Sequence, residues 1–388
     1  LARNGRQGPV LIDVPRNLFF EEVAYTREEP QVRTPGKPDA DFIICAAEAA
    51  AEIVNAERPL VIVGGGVISA GTSAEVTAFI EKYHLPVVHT VASTHPQMLG
   101  FAGMHGEKAA NYAIGAADLV IALGSRFADR QTGNLSKYTA NRKFIHIDID
   151  PAEIDKNIEN SLGLAGDMRT ILKLLMRQAP KCDLAQWWAQ IRTWQEKHDY
   201  DYHVGRLTVP WALHQVAQST TGKAYAYATD VGQHQMWAAL HLRVEEPRTW
   251  LTSGGLGTMG YGLPAAMGAQ LAWGESRRVI HIAGDGGIKM TGNEFYTIAR
   301  LGLPVLSILV NNRSLGMIRQ LQKVLYDEHY IACELDHEMD YVKYVESFGI
   351  KAARVSTQEE FAAALKSALE DRSHPRVIVM DVWRSFVE

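Results

Sequence analysis

The sequence predicts an α/β protein made of two parallel-sheet, three-layer units, and three observations carry that prediction. Runs such as "LVIV" (60–63), "LVIAL" (119–123) and "VLSILV" (305–310) are almost continuously apolar rather than alternating, as in strands covered on both faces. Stretches with helical spacing separate them, and alternation of this kind argues for crossover units and a parallel sheet. At 388 residues the chain exceeds the size at which one core keeps growing, so two domains are expected.

"GPVLIDVP" (Gly8–Pro15) reads as a buried strand close to Leu1, as though it closed the sheet of a domain lying upstream. A polar, proline-bearing stretch (27–39) follows, so residues 1–34 are expected to be a domain tail and linker. The first complete unit spans 35–180. It holds a helix near 40–56, strands at 60–63, 86–89, 119–123 and 144–149, and helices near 73–83 and 108–115. Residues 181–208 break the pattern with a Trp-rich charged helix ("WWAQIRTWQEK") and a polar run, and read as a linker. Trp187, Trp188 and Trp194 are expected to pack there rather than to stack on bases. The second unit, 209–388, has a helix at 211–218, strand 225–230, helix 234–242, strand 249–252, a glycine-rich loop and helix 262–272. Strands 278–283 and 305–310, helices 315–325 and 341–347, a capping box at Thr357 and Glu360, and the strand "RVIVMDV" complete it. His146 and His281 fall inside strands and are expected to be core residues.

Composition narrows the function. Net charge is −5, which gives no support to a nucleic-acid partner. No run of 18 apolar residues suggests a membrane span, and the N-terminus lacks the plan of a signal peptide, so the default setting is cytoplasmic. The three cysteines, Cys45, Cys182 and Cys333, are far apart and form neither a disulfide framework nor a zinc motif.

The chemistry concentrates between Gly284 and Asn312, "GDGGIKMTGNEFYTIARLGLPVLSILVNN". A strand (278–283) ends at Gly-Asp-Gly, and Thr291 with Glu294 makes a capping box for a helix ending near Gly302 and Pro304. The strand 305–310 then ends at Asn311 and Asn312. A helix of about 11 residues and a strand of about 6 each cover roughly 16–20 Å, so the chain returns to its starting edge. Asp285 and Asn312 are therefore expected to be neighbours. Their side-chain oxygens and the backbone carbonyl of Ser314 form a hard donor set suited to Mg²⁺, which leaves positions for water and phosphate oxygens. Gly286 and Gly287 place backbone N–H groups at a helix start, where an anion can meet them. A helix terminus contributes only about 0.3–1 kcal/mol, so a diphosphate would need the metal as its main counter-charge.

Gly-Asp-Gly followed about two dozen residues later by Asn-Asn resembles the signature of thiamine diphosphate enzymes. "TDVGQHQMWAA" (Thr229–Ala239), "TSGGLGTMGYGLPAAMGAQ" (Thr252–Gln270) and "GMHGEKAAN" (Gly103–Asn111) resemble, more narrowly, the large catalytic subunit of acetolactate synthase. The resemblance implies thiamine diphosphate and Mg²⁺, the metal held by Asp285, Asn312 and the Ser314 carbonyl. Val231, Gly232, Gln233 and His234 would line the diphosphate with Gly284, Gly286 and Gly287. Met259 matches the bulky residue that props the cofactor in its bent shape, and the backbone at Gly257 and Met259 would bond its pyrimidine. Met317 and Leu321, four apart on one helix face, fall beside the substrate, and Leu321 stands where enzymes favouring 2-oxobutyrate carry Trp.

The resemblance also implies FAD in the first unit, with Gly65, Met104, His105, Gly124, Arg126, Arg130 and Asp148 at matching positions. By itself "LVIVGGGVIS" does not satisfy G-x-G-x-x-G. "SRFADRQTG" departs from the family pattern at Ala128 and Gln131, and the loop before Gly103 looks shorter than the family's. The implied activity joins pyruvate to a second 2-oxoacid with loss of CO₂, in a homodimer or homotetramer with a possible small regulatory subunit. The family's catalytic glutamate belongs to a pyrimidine-binding domain not in this sequence, so these residues alone are expected to be inactive. Related carboligases acting on glyoxylate or sulfoacetaldehyde are the alternative enzymes, and a cofactor-binding module without turnover is the alternative of another class.

Overall fold

The computed structural model describes residues 2, 5–27, 39–90, 95–159, 161–178, 183–203, 205–335 and 339–382. Cys182, residues 28–38 and residues 91–94 of the loop before Gly103 lie outside them. Two compact units emerge, one of residues 1–90, 102–104 and 108–196, the other of 91–101, 105–107 and 197–388.

The first sheet contains β1 (Pro59–Val63), β2 (Val87–His89), β3 (Met98–Phe101), β4 (Leu119–Leu123), β5 (Lys143–Asp148) and β6 (Leu162–Ala165), in the order β3-β2-β1-β4-β5-β6. The second contains β7 (Tyr225–Thr229), β8 (Trp250–Leu251), β9 (Arg278–Gly284), β10 (Leu306–Asn311), β11 (Lys351–Val355) and β12 (Arg376–Asp381), in the order β11-β12-β10-β9-β7-β8. The neighbours β2-β1-β4-β5-β6, and all neighbours in the second sheet, pair in parallel. Every residue of β1, β4, β7 and β10 is buried, which is why their sequences lack alternation. Around the second sheet, one apolar layer gathers Val216, Trp237, Ile280, Ile308 and Phe361; the other gathers Leu263, Ile288, Phe295, Leu309 and Val345. These are the two faces of one three-layer core.

Three expectations need correction. Gly8–Pro15 is not a strand: Leu11 and Ile12 are 89% and 79% exposed, and only a 3₁₀ turn, Arg16–Phe20, is regular there. A strand is secured by a ladder partner, and neither described sheet pairs with this segment. The capping box at Thr291 and Glu294 does not form, because the helix starts earlier, at Asp285, with Gly284 extended at its N-cap. The Thr291 hydroxyl donates instead to the Gly260 carbonyl at 3.0 Å, and a 3₁₀ turn, Gly292–Glu294, separates the helices Asp285–Thr291 and Phe295–Leu301. Finally β3, β6 and β11 are strands that the sequence reading leaves unassigned. The box at Thr357 and Glu360 is formed on both sides.

The helix Ala185–Lys197 docks on the first unit through Trp187, whose indole N–H donates to the Pro59 carbonyl at 3.0 Å, and Trp187 meets Trp194 edge-on at 5.9 Å. No helix among the described residues is long and apolar enough to cross a membrane.

The second unit buries His241, whose Nδ1 lies 2.9 Å from the Tyr202 hydroxyl. Burial, with His214 nearby, pushes this imidazole from 6.5 down to about 4. Between those values the unfolded chain binds more protons than the folded one. Stability is therefore full above pH 6.5 and falls as pH drops toward 4, by roughly 3 kcal/mol from this residue. The variant His241→Gln should show a shallower loss across that window in urea unfolding at stepped pH; an unchanged slope would mean that the ring is not held neutral.

Candidate active site at the crevice between β7 and β9

In the second sheet the connection after β7 leads outward to β8, while β9 lies on the other side of β7. Such a reversal opens a crevice at the carboxyl ends of the two strands. The segments that enter it are Asp230–His234 after β7 and Gly284–Gly287 at the end of β9, with Asn312 one strand further.

The parallel register sets Gly284 opposite Val310, which brings Asp285 and Asn312 to one edge as their spacing predicts. Asp285 is 2% exposed; its Oδ1 accepts the Gly286 N–H at 2.9 Å, and the N–H groups of Arg313 and Ser314 also face the carboxylate. Its Oδ2 has no partner. Desolvation pushes this carboxyl up from 3.8 to about 6. A buried carboxylate oxygen left open in this way is what a divalent cation would satisfy.

Asn312 turns its Oδ1 to the Ser314 N–H at 3.1 Å, whereas Asn311 donates to Asp381 at 2.7 Å and belongs to the sheet. Ser314 is braced by an antiparallel bridge to Glu334. The bonds of that bridge run from Leu315 N–H to Cys333 and from Leu335 N–H to Arg313, so neither uses the Ser314 carbonyl. The three sequence-predicted metal donors thus stand on one loop and the helix start facing it.

The β7 side supplies the opposite wall. The Gln233 amide donates to Gln320 at 2.9 Å, and a Cβ on Gly316 would fall 2.1 Å from Gln233 Oε1 and 2.8 Å from Asn312 Nδ2. The His234 ring bonds the Asp230 carbonyl and packs against Gly232 and Gly284, where a Cβ would come within 2.8 and 2.9 Å of it. Its Nε2 has no partner, and burial pushes the imidazole down to about 4, so it is neutral. His281 is likewise buried, with Nδ1 3.2 Å from Ser307 Oγ and Nε2 unpartnered; His146 bonds the Ser125 carbonyl at 2.9 Å.

Met259 and Gly257 approach from the glycine-rich loop. The Met259 Cε would lie 3.3 Å from a Cβ on Gly286, and Leu315 Cδ2 at 2.6 Å, so both side chains border the turn. Gly257 has φ +65 and lies beside Val231. Met317 and Leu321 are half-buried on the helix Gly316–Leu325, which buries none of its residues fully, so Leu321 is not a core leucine. Sequence reading missed Asp230, Leu315 and Gln320; for Asp230 the one signal was its place at the end of a strand, just before "VGQH".

Comparison with known proteins identifies the family. Residues 230–382 match the family profile described as thiamine pyrophosphate enzyme, C-terminal TPP binding domain, and residues 46–175 match the central domain of the same enzymes. The acetolactate synthase large subunit of Haemophilus influenzae is 36% identical over 399 residues, covering 98% of this chain and 69% of that protein. The chain belongs to the acetolactate synthase large-subunit family. Isozyme 3 of Escherichia coli is also 36% identical, with the same coverage. The large subunit of Corynebacterium glutamicum is 38% identical over 97% of the chain and 63% of its own length.

The first unit also has a reversal point, between β1 and β4. Gly65 opens the helix Gly65–Ala70 there, and Gly64 and Gly66 meet the backbone at Gly124 so closely that a Cβ on Gly64 would fall 2.1 Å from the Gly124 carbonyl. Asp148 ends β5, buried, accepting the Asp150 N–H at 2.9 Å. Met104 and Arg130 meet in a separate cleft with Asn111, Tyr138 and Arg142, the Met104 N–H donating to the Arg130 carbonyl at 2.8 Å. Arg126 is exposed, its carbonyl accepting from Asn157, and His105 is half-buried. Ala128 is an exposed N-cap without a side-chain bond, and Gln131 accepts from the Ser125 hydroxyl.

Proposed function

We propose that the chain works as the catalytic large subunit of an acetolactate synthase, joining pyruvate to a second 2-oxoacid with release of CO₂. The observation that carries this reading is the convergence of Asp285, Asn312 and Ser314 beside the glycine-lined start of the helix Asp285–Thr291. When bound, thiamine diphosphate supplies the electron sink that decarboxylation needs.

The protein's own groups hold and orient. Asp285, Asn312 and the Ser314 carbonyl bind Mg²⁺, and the N–H groups of Gly286 and Gly287 face the diphosphate. Val231, Gly232, Gln233 and His234 line it from the β7 side. Gly257 and Met259 receive the aminopyrimidine, and Met317 and Leu321 border the second substrate. FAD would be held in the first unit through Gly65, Gly124 and Asp148 at the reversal point, with Arg126 as the resemblance implies, while Met104 and Arg130 border the separate cleft. We assign a central domain of 35–180, a linker of 181–208 and a diphosphate-binding domain of 209–388; two separate profile matches, over 46–175 and 230–382, support the presence of two domains. A homodimer or homotetramer with a small regulatory subunit is the assembly we propose, since the relatives carry the name large subunit.

The test is acetolactate formation from pyruvate by the full-length protein with Mg²⁺, thiamine diphosphate and FAD. Absence of acetolactate, with product formed from glyoxylate instead, would move the reading to another carboligase. Leu321→Trp should raise the preference for 2-oxobutyrate over pyruvate as acceptor by about tenfold, a change of the size that one pocket contact produces. Competition between the two acceptors measures it, and an unchanged product ratio removes Leu321 from the acceptor pocket.

A further inference from the structure

Gly260, the residue after Met259, has both of its backbone polar groups taken by side chains. Its N–H donates to the Asp230 carboxylate at 2.9 and 3.0 Å, and its carbonyl accepts the Thr291 hydroxyl at 3.0 Å. We infer that Asp230 and Thr291 are positioning residues that fix Met259 over the Gly-Asp-Gly turn, an inference that rests on the thiamine diphosphate reading above.

Asp230 is 1% exposed and stands at the end of β7, its own N–H anchored to the Ile282 carbonyl of β9 at 2.9 Å. Besides Gly260, its carboxylate takes the N–H groups of Val231 at 2.7 Å and Gly262 at 3.4 Å. Its other side rests on Gly287, where a Cβ would fall 2.6 Å from the carboxyl carbon. One buried carboxyl group therefore joins the glycine-rich loop to the first turn of the helix Asp285–Thr291. Thr291, the last residue of the same helix, holds Gly260 from the other side.

Since Met259 reaches Gly286, these two contacts set its height above the N–H groups of Gly286 and Gly287. A ligand that spans both features, a diphosphate joined to a ring folded over Met259, depends on that height. Inorganic diphosphate reaches only the helix start. Thr291 therefore acts on the ring half of the ligand alone, whereas Asp230, which also holds the Val231 N–H and rests on Gly287, acts on both halves.

The affinities of the full-length protein for thiamine diphosphate and for inorganic diphosphate, each with Mg²⁺, can be compared by titration calorimetry. Thr291→Val should weaken thiamine diphosphate about tenfold, the loss of one partly buried hydrogen bond, and leave inorganic diphosphate unchanged. Thr291→Ser should restore the parent value. Asp230→Asn, which keeps an acceptor for Gly260 but not the charge, should weaken both ligands, since Asp230 also holds Val231 and rests on Gly287; the selectivity is decided by the Thr291 pair. Equal weakening of both ligands, or of neither, by Thr291→Val overturns the inference. Parent protein without preference for thiamine diphosphate overturns the cofactor reading instead.

Discussion

Asp285→Asn is expected to cut acetolactate formation by about a thousandfold while making the metal-free protein more stable. Activity falls because the carboxylate is the one charged donor among the three proposed Mg²⁺ ligands. Stability rises because this carboxylate is buried with Oδ2 unpartnered. Its folded value of about 6 exceeds the 3.8 of the unfolded chain, so the folded state binds more protons between those values. Metal-free stability therefore falls as pH rises from 3.8 to 6 and stays lowered above that, by about 3 kcal/mol. A neutral amide escapes most of that cost, and bound Mg²⁺ offsets it in the parent. Thermal unfolding without metal at pH 8 should place the variant a few degrees above the parent, ~3 °C or more. A lower midpoint would show that the site is not a desolvated one.

Gly287→Ala should damage fold and site together. The new Cβ would sit 2.6 Å from the carboxyl carbon of Asp230, a short side chain pinned by backbone N–H groups and unable to swing aside. The first helical turn must shift, and Asp285 shifts with it. A loss of about 1–3 kcal/mol is expected, together with weaker Mg²⁺-dependent binding of thiamine diphosphate. Gly268→Ala, in the helix Gly262–Trp273 with nothing within 4 Å of its added Cβ, should instead stabilise by about 0.5–1 kcal/mol. Chemical unfolding of the two variants side by side checks both signs, and similar effects would mean that the glycines at the turn are not required by close approach.

The sequence by itself determined the two parallel sheets, because strands buried on both faces must be apolar throughout and their helical crossovers leave a visible alternation. It also determined the meeting of Asp285 with Asn312, since helix rise and strand rise fix how far the chain travels before it returns. Where a residue had a choice of partner, only the tertiary structure decided. Thr291 and Glu294 satisfy the local pattern of a capping box, yet the hydroxyl goes to the Gly260 carbonyl, 31 residues earlier in the chain. Asp230 reads as an ordinary strand-end acid, and becomes a buried clamp because Gly260, Gly262 and Gly287 arrive around it from distant segments. Gly8–Pro15 has the composition of a strand and finds no ladder among the described residues. Periodicity is a property of neighbours along the chain, whereas a hydrogen-bond partner is chosen among everything that packing brings within about 3 Å.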